Sequence, residues 1–182
     1  MTTRVVTECL NDLMDYFVLT DIDALTAYQA DYGLAPDLCA AFTTTDHGDA
    51  AVEAGVILPL RGIVNYPYTI IFQVGSGSVF GRGDHDLQHE RHGYKLHVTG
   101  SAVHLLTMPN LRQWPQNRAI VEELRPRMGL SPGWYRVIVR GGETLQATGW
   151  EPTIEFEFLA SEYEPVFDAD LDQAFAVKAR EY

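Results

Sequence analysis

The chain has 182 residues, a net charge of −12 and a pI of about 4.7, and 46% of its residues are hydrophobic. This length and composition fit one globular domain, residues 1–182, with enough apolar residues for a core and without the bias of a disordered chain. The negative charge argues against direct binding of nucleic acid, because such binding depends on Lys and Arg, and it favours a basic protein partner.

Cysteine content and hydropathy indicate the cellular compartment of the protein. Cys9 and Cys39 are too few for a disulfide framework and stand among apolar residues, so we expect two small buried side chains. Asp12 and Asp15 interrupt the N-terminal segment, so it does not fit a signal peptide. No stretch approaches the roughly 18 apolar residues of a membrane span. We therefore expect a cytoplasmic protein without membrane contact.

The first part of the N-terminal third is predicted to be helical. Residues 4–17 place apolar side chains on one side at helical spacing, which predicts an amphipathic helix in an N-terminal extension over residues 1–20. A change to strand near residues 15–19 is an alternative. Residues 25–34 fit either a strand or a helix that ends at Gly33, and Pro36 ends any regular element.

Residues 46–74 are the most clearly patterned part of the chain. Thr45 or Asp46 can cap a short helix, Asp49 lies in its first turn, and Gly55 is a typical terminator. Residues 56–60 then read as a buried strand, and residues 68–74 as a second strand after a turn. The glycine-rich residues 75–83 are predicted to be a flexible loop.

The rest of the chain is rich in strand patterns. Residues 94–99 and 102–108 alternate around a Gly-Ser turn, which predicts a hairpin. Residues 113–127 predict a helix near 115–127, and residues 134–140 and 153–159 predict strands separated by a turn at Gly141–Gly142. The acidic tail, residues 161–182, has a short helical pattern with Leu171, Phe175 and Val177 as docking residues. The fold class is therefore mainly β, an antiparallel β-sandwich with short decorating helices.

Charge is distributed unevenly along the chain. Residues 5–60 contain ten acidic residues and residues 141–177 contain nine, and neither segment has a Lys or Arg. Residues 61–140 contain ten Lys or Arg and five acids. If the two terminal thirds meet in space, one side of the protein is strongly negative; if acids and bases interleave on folding, the asymmetry disappears.

Two clusters could carry chemistry. His85, His89 and His92 lie close in sequence, and on a helix the first two would share a face as metal ligands do. The H-E-x-x-H pattern is absent, so a solvated loop without metal is expected instead. Glu155 and Glu157 could form the carboxylate pair of a sugar-cleaving enzyme, but glutamates on the solvent face of a strand are the ordinary interpretation.

The glycine-rich loop itself does not fit nucleotide binding. Its sequence, GSGSVFGRG, departs from the G-x-G-x-x-G pattern, and no Lys-Ser/Thr follows. No G-x-S-x-G motif occurs, and neither cysteine lies in a cationic setting. We expect no cofactor.

Several short motifs recur together in one protein family. They are the short acidic helix closed by glycine (Asp46, Asp49, Ala50, Glu53, Gly55), residues 92–99 with 102–106, residues 132–137, and residues 27–29. Together they resemble the competence protein J family, small proteins that inhibit a DNA-degrading nuclease. The similarity covers roughly residues 25–160 and departs from the family in the N-terminal extension, an insertion at 110–130 and a longer acidic tail.

This resemblance implies a β-sandwich that binds and neutralises a nuclease or related toxin and has no catalysis of its own. A basic DNA-gripping site would attract an acidic face by long-range steering. Charge and strand phase, rather than the family, select the predicted partner-binding residues: Glu151, Glu155 and Glu157, then Asp46, Asp49 and Glu53. The alternative function is a metal-dependent or carbohydrate-active enzyme that uses the histidine and glutamate cluster. Oligomeric state is left open.

Overall fold

Two β-sheets face each other across an apolar core, and four short α-helices are the other main elements of residues 2–10 and 14–180, which the computed structural model describes. The elements, in chain order, are β1 (Thr2–Cys9), β2 (Tyr16–Thr20), α1 (Ile22–Asp31), α2 (Leu38–Thr44), α3 (His47–Glu53), β3 (Ile57–Arg61), β4 (Pro67–Val74), β5 (Asp86–Val98), β6 (Ala102–Thr107), a 3-10 helix (Met108–Leu111), α4 (Arg118–Leu124), β7 (Arg127–Gly129), β8 (Gly133–Gln146) and β9 (Gly149–Ser161).

The large sheet has the strand order β1-β4-β9-β8-β5, and the small sheet has the order β3-β2-β6-β7. Neighbouring strands are antiparallel except β4 and β9, which run parallel. The prediction of a mainly β, antiparallel sandwich with short helices is therefore confirmed. None of the helices in the described part of the chain is long and apolar enough to cross a membrane.

Alternation along the strands produces two cores. Phe72, Phe156 and Leu96 are fully buried between the sheets, because every second residue of a strand points to the same face. On the small sheet the opposite face is also apolar, and it packs with Leu25 of α1 and Leu38 of α2 in a second cluster. The small sheet is therefore covered on both sides, with the helices as an outer layer.

The prediction of an N-terminal helix is wrong, because residues 2–9 form the edge strand β1, paired with β4 in continuous register. The alternative of a strand near residues 15–19 is confirmed by β2, residues 16–20. Residues 11–13 of that prediction lie outside the described residues. Threonine and valine dominate β1, and such β-branched residues suit a strand. The helical spacing of apolar residues was a coincidence that pairing with β4 overrides. Residues 25–34, in contrast, follow the helical alternative, with Gly33 at φ +60° just after α1.

The predicted hairpin of residues 94–99 and 102–108 is also wrong. Strand β5 pairs with β8 in the large sheet, whereas β6 pairs with β2 and β7 in the small sheet. The intervening turn is a corner between sheets, held by the buried Asp21. One Asp21 carboxylate oxygen accepts hydrogen bonds from the Thr99 and Gly100 amides, both at 2.7 Å. Alternation fixes which residues share a face, but it does not fix the partner strand.

Residues 161–180, the described part of the acidic tail, form no regular helix, yet the tail docks as predicted through Phe175 and Val177. Both side chains are buried in the core between the sheets. The Phe175 amide donates to the Arg61 carbonyl of β3 at 2.7 Å, and the Gln88 side chain of β5 bonds the Lys178 backbone twice. The tail thus joins an edge of the small sheet to an edge of the large one and closes that side of the sandwich.

Gly141 and Gly142 lie inside β8 instead of forming the predicted turn. A Cβ on Gly141 would lie 2.4 Å from the Phe175 ring, and one on Gly142 would lie 1.9 Å from the Asp86 carbonyl. These glycines therefore allow the tail and β5 to approach the strand closely.

We expect Phe175→Ala to lower the free energy of unfolding by about 3–5 kcal/mol, because it leaves a cavity where the tail closes the sandwich. Urea titration at neutral pH measures this change. Tyr163→Ala, at a side chain that is 73% exposed in the same tail, is the control and should stay within about 0.5 kcal/mol of wild type. Equal midpoints for the two variants would contradict this role of the tail.

Candidate partner-binding surface

Strand β9 carries the glutamates that head the list of predicted binding residues. Its phase is as predicted: Phe156 and Phe158 point into the core, and Glu155 and Glu157 point to the outer face of the large sheet. That face is covered, however, and the two glutamates are only 0% and 4% exposed. The interpretation that they face solvent is wrong, since the loop of residues 75–83 folds over them.

Arg140 of β8 neutralises the two buried glutamates. Its Nη1 lies 2.7 Å from Glu157 and 3.3 Å from Glu155, and its Nε lies 2.6 Å from Glu90 of β5. Burial opposes the charge on Arg140, but the hydrogen bonds to Glu157 and Glu90 outweigh it and raise the pKa of the guanidinium above its ordinary value. The hydrogen bonds from His92 and Arg140 lower the pKa of Glu90. Arg140 and Glu90 therefore both stay charged at neutral pH.

The glycine-rich loop supplies the remaining hydrogen bonds. Glu155 accepts from the Val79 amide at 2.7 Å and the Ser78 hydroxyl at 2.5 Å, and Glu157 accepts from the Gly77 amide at 3.1 Å. Small residues let this backbone come close to the carboxylates. The loop thus covers the buried ionic cluster and supplies its hydrogen-bond donors. Both glutamate carboxylates therefore already have hydrogen-bond partners. This arrangement gives neither of them the free carboxylate that sugar hydrolysis requires.

The three clustered histidines do not converge. His85 accepts from the Leu145 amide at 3.1 Å, His89 bonds the Ala176 carbonyl at 2.9 Å, and His92 bonds Glu90 at 2.9 Å. Residues 86–98 form a strand and not a helix, so the spacing of four does not bring the imidazoles together. Within residues 2–10 and 14–180, no group of three or more His, Cys, Asp or Glu could hold a metal ion.

The acids of the N-terminal third and of the tail do meet, at a groove beside α3. A cavity of about 400 Å³ is lined by Asp49 and Glu53 of α3 and by Asp170 and Asp172 of the tail. A second cavity, of about 320 Å³, shares Asp49 and Asp172 with the first. We call the two cavities together the acidic groove. All four carboxylate residues are exposed.

The floor of the acidic groove is apolar. It is formed by side chains of the helices, the small sheet and the tail: Val18, Phe42, Val52, Ile57, Met108, Leu111, Phe167 and Leu171. The only basic residue among the described lining residues is Arg61, which lies 3.9 Å from Asp172. Both side chains of this pair are well exposed, so the pair neutralises little of the local charge.

Local sequence explains how each carboxylate reaches the groove. Helix α3 runs for two turns and ends before Gly55, whose φ is +68°, so Asp49 and Glu53 stand one turn apart on one face. In the tail, Asp170 accepts bonds from the Asp172 amide and the Gln173 side chain, which fixes a tight turn. These bonds lower the pKa of Asp170.

The other two predicted binding residues lie outside the acidic groove. Asp46 is exposed at the N-terminus of α3, where it makes no side-chain capping bond, so it can add to the negative field of the same helix. Glu151, near the start of β9, is half-buried and accepts from the Thr148 hydroxyl at 3.0 Å. Sequence reasoning missed Asp170 and Asp172 as individual binding residues, although the charge count of the tail was the signal that could have found them.

A second buried group was missed as well. His104 of β6 is 3% exposed, and neither ring nitrogen has a hydrogen-bond partner among the described residues. Burial, and then the positive charge of Arg127, lower the pKa of His104; the more weakly acting carboxylates Asp21, Glu122 and Asp23 oppose this. His104 is therefore neutral in the folded protein at neutral pH.

Comparisons with known proteins give two similar structures. No protein-family model and no curated protein sequence matches the chain. The fold is similar to ComJ from Bacillus subtilis, inhibitor of the DNA degrading activity of NucA, with 13% identity and a TM-score of 0.45 over 88% of this chain and 96% of that chain. It is also similar to crocagin biosynthetic gene J, with 15% identity and a TM-score of 0.47 over 86% of this chain and 98% of that chain. ComJ belongs to the competence protein J family, which the sequence motifs also resemble. The structural similarity to it is weak.

We expect Arg140→Met to lower the free energy of unfolding by about 3–5 kcal/mol at pH 7, because it leaves Glu155 and Glu157 buried without a counter-charge. Denaturant titration measures the loss. Arg136→Met removes an exposed arginine from the same strand and is the matched control, expected to change stability by less than about 0.5 kcal/mol. An Arg140→Met protein as stable as this control would show that the cluster is not held by the guanidinium.

His104 should make folding sensitive to mild acid. Its folded pKa lies below the ordinary 6.5, so in the interval between the two values the unfolded chain binds a proton that the folded chain does not. Stability should therefore be complete above pH 6.5 and fall as pH decreases through that interval. Urea midpoints measured from pH 7.5 to 5 should fall less steeply in His104→Leu than in wild type. Leu124→Ala, at a side chain that is 70% exposed, changes no titratable group and is the control, so it should keep the wild-type slope; parallel curves for all three proteins would refute the prediction.

Proposed function

We propose that this chain is a non-catalytic inhibitor or immunity protein that binds a basic protein, such as a nuclease or related toxin, through the acidic groove. The observation that carries the proposal is the meeting of exposed carboxylates from α3 and from the tail around one groove. These residues lie more than a hundred positions apart in sequence and come together only in the folded chain.

Electrostatics selects the partner. A net charge of −12 repels DNA, and the acidic groove concentrates part of that charge on one face. A site that grips DNA is lined by Lys and Arg, so it is complementary to this face. An inhibitor that covers such a site would compete with the phosphate backbone for the same cations.

The apolar floor gives the groove more than charge. Stable interfaces usually combine a desolvated apolar centre with a polar rim, and energetic hot spots are often aromatic or arginine side chains that enter a pocket. Phe42, Phe167 and Leu171 can contact the aliphatic part of a bound Arg or Lys side chain. Asp49, Glu53 and Asp172 can pair with the charged end of the same side chain. The groove is thus suited to a basic side chain or loop.

The nuclease as the class of partner is taken from the sequence resemblance to the competence protein J family. The occupied carboxylates of Glu155 and Glu157 and the dispersed histidines lend no support to the alternative of a metal-dependent or carbohydrate-active enzyme. Glu155 and Glu157 are also withdrawn from the binding surface, because a docked protein could not reach them without displacing the loop of residues 75–83.

Removing three groove charges should weaken binding to a basic nuclease. NucA and a second basic nuclease that degrades DNA are the probes, with DNA cleavage and surface plasmon resonance as readouts. The variant Asp49→Asn/Glu53→Gln/Asp172→Asn should bind at least about tenfold more weakly than wild type, mainly through slower association, and added salt should narrow this gap.

The matched control removes three exposed glutamates that do not line the groove. Glu122→Gln/Glu123→Gln/Glu162→Gln changes the net charge by the same amount and should bind within about threefold of wild type. An equal loss of affinity in both variants would show that only net charge matters, and it would contradict the acidic groove as the binding site. If wild type neither binds nor inhibits either nuclease, the proposed function fails.

A further inference from the structure

The edges of the two sheets are not equally protected. The tail runs along β5, bonded through Gln88, His89 and Arg91, and it also bonds Arg61 of β3. Strand β7, the other edge of the small sheet, is only three residues long. Strand β1 differs, since it is an eight-residue edge that pairs only with β4 among the described residues.

Strand β1 carries two charged residues, Arg4 and Glu8, but it lacks three other features that block edge pairing, namely proline, lysine and a bulge. Val5 on its outer face is 60% exposed. A long, regular edge of this kind presents a row of backbone groups ready to pair with another strand. Such an edge in a natural protein points to a strand partner.

We propose that β1 pairs antiparallel with β1 of a second copy of this chain, so that Arg4 of each copy faces Glu8 of the other. The large sheets of the two copies then form one continuous ten-stranded sheet. The proposal is independent of the acidic groove, and it concerns the opposite edge of the large sheet from the one that the tail covers.

Geometry limits the register to few choices. In a two-fold pair of identical strands, residues directly opposite each other lie on the same face of the sheet, so the two-fold axis passes beside a single residue. Centring on Val6 places Arg4 opposite Glu8 and Val5 opposite Thr7, twice each. Centring on Val5 places Arg4 opposite Val6 and leaves Glu8 opposite Thr2. The first register alone sets opposite charges against each other, which favours it.

The side chains of Arg4 and Glu8 are positioned for the register centred on Val6. Arg4 is exposed and makes no ion pair within the described residues, so its guanidinium is free for Glu8 of the second copy. The Glu8 side chain is 12% exposed and lies 3.3 Å from Arg125, so its carboxylate would lie between two arginines in the pair. At physiological ionic strength the repulsion between two chains of charge −12 is largely screened beyond about 8 Å, whereas these contacts are shorter.

The first test is the mass in solution. Sedimentation equilibrium of the full chain at physiological ionic strength should give a concentration-dependent mass that approaches twice 20.4 kDa. Arg4→Glu places four acidic side chains around the two-fold axis, so the dissociation constant of the dimer should rise at least about tenfold. Arg82→Glu, an exposed arginine in the loop of residues 75–83, changes net charge equally and should leave the mass curve within about twofold of wild type. A monomer at all concentrations, or equal effects of the two variants, overturns the proposal.

The second test fixes the register by disulfide trapping. In a background of Cys9→Ser and Cys39→Ala, Val6→Cys should form a dimer under mild oxidation, because the Cβ atoms of the two introduced cysteines would be directly opposed. Val5→Cys is the control and should trap at least about tenfold less, because its own counterpart lies two residues away along the partner strand. Preferential trapping at position 5, or none at position 6 in a protein that is dimeric by mass, overturns the proposed pairing.

Discussion

Arg140 is a single positive charge buried among carboxylates from two neighbouring strands, and much of the large sheet depends on it. Glu155 and Glu157 come from β9, and Glu90 comes from β5, so one guanidinium ties three adjacent strands together. A buried carboxylate is costly unless it is paired and hydrogen-bonded. The loop of residues 75–83 completes the bonding, because the Gly77 and Val79 amides and the Ser78 hydroxyl donate to the two carboxylates.

The tail has two faces with different roles. Phe175 and Val177 enter the core between the sheets, and the backbone around them bonds to an edge of each sheet. A few residues earlier, Asp170 and Asp172 face solvent across from α3. Since the apolar half of the tail is fixed in the core, the acidic half is held in place at the groove. Fold stability and the proposed binding surface are thus linked through one segment of chain.

The two proposed contacts use different physics. The acidic groove relies on charge complementarity with an apolar centre, so its partner is chosen by electrostatics. Strand β1 relies on backbone hydrogen bonds, and charge selects only the register through Arg4 and Glu8. The N-terminal strand and the tail lie at opposite edges of the large sheet, so pairing of two copies leaves both acidic grooves open.

Features that depend on neighbouring residues can be derived from the sequence alone. The alternation in β4, β8 and β9, the short helix closed by Gly55 and the docking residues Phe175 and Val177 all follow from local pattern and turn chemistry. The acidity of both ends of the chain could be counted directly. These properties predict the class of fold and the sign of the charge on a partner.

Features that depend on residues distant in sequence became visible only in the folded chain. Residues 2–9 are a strand because β4 lies beside them, although their apolar spacing fits a helix equally well. Alternation in β5 and β6 shows a face but not a partner, so their separation into two sheets could not be foreseen. Glu155 has the phase of a solvent-facing residue, yet Arg140 and the loop cover it. Asp49 and Asp172 belong to one groove only because the tail crosses the sandwich, and no local pattern encodes that path.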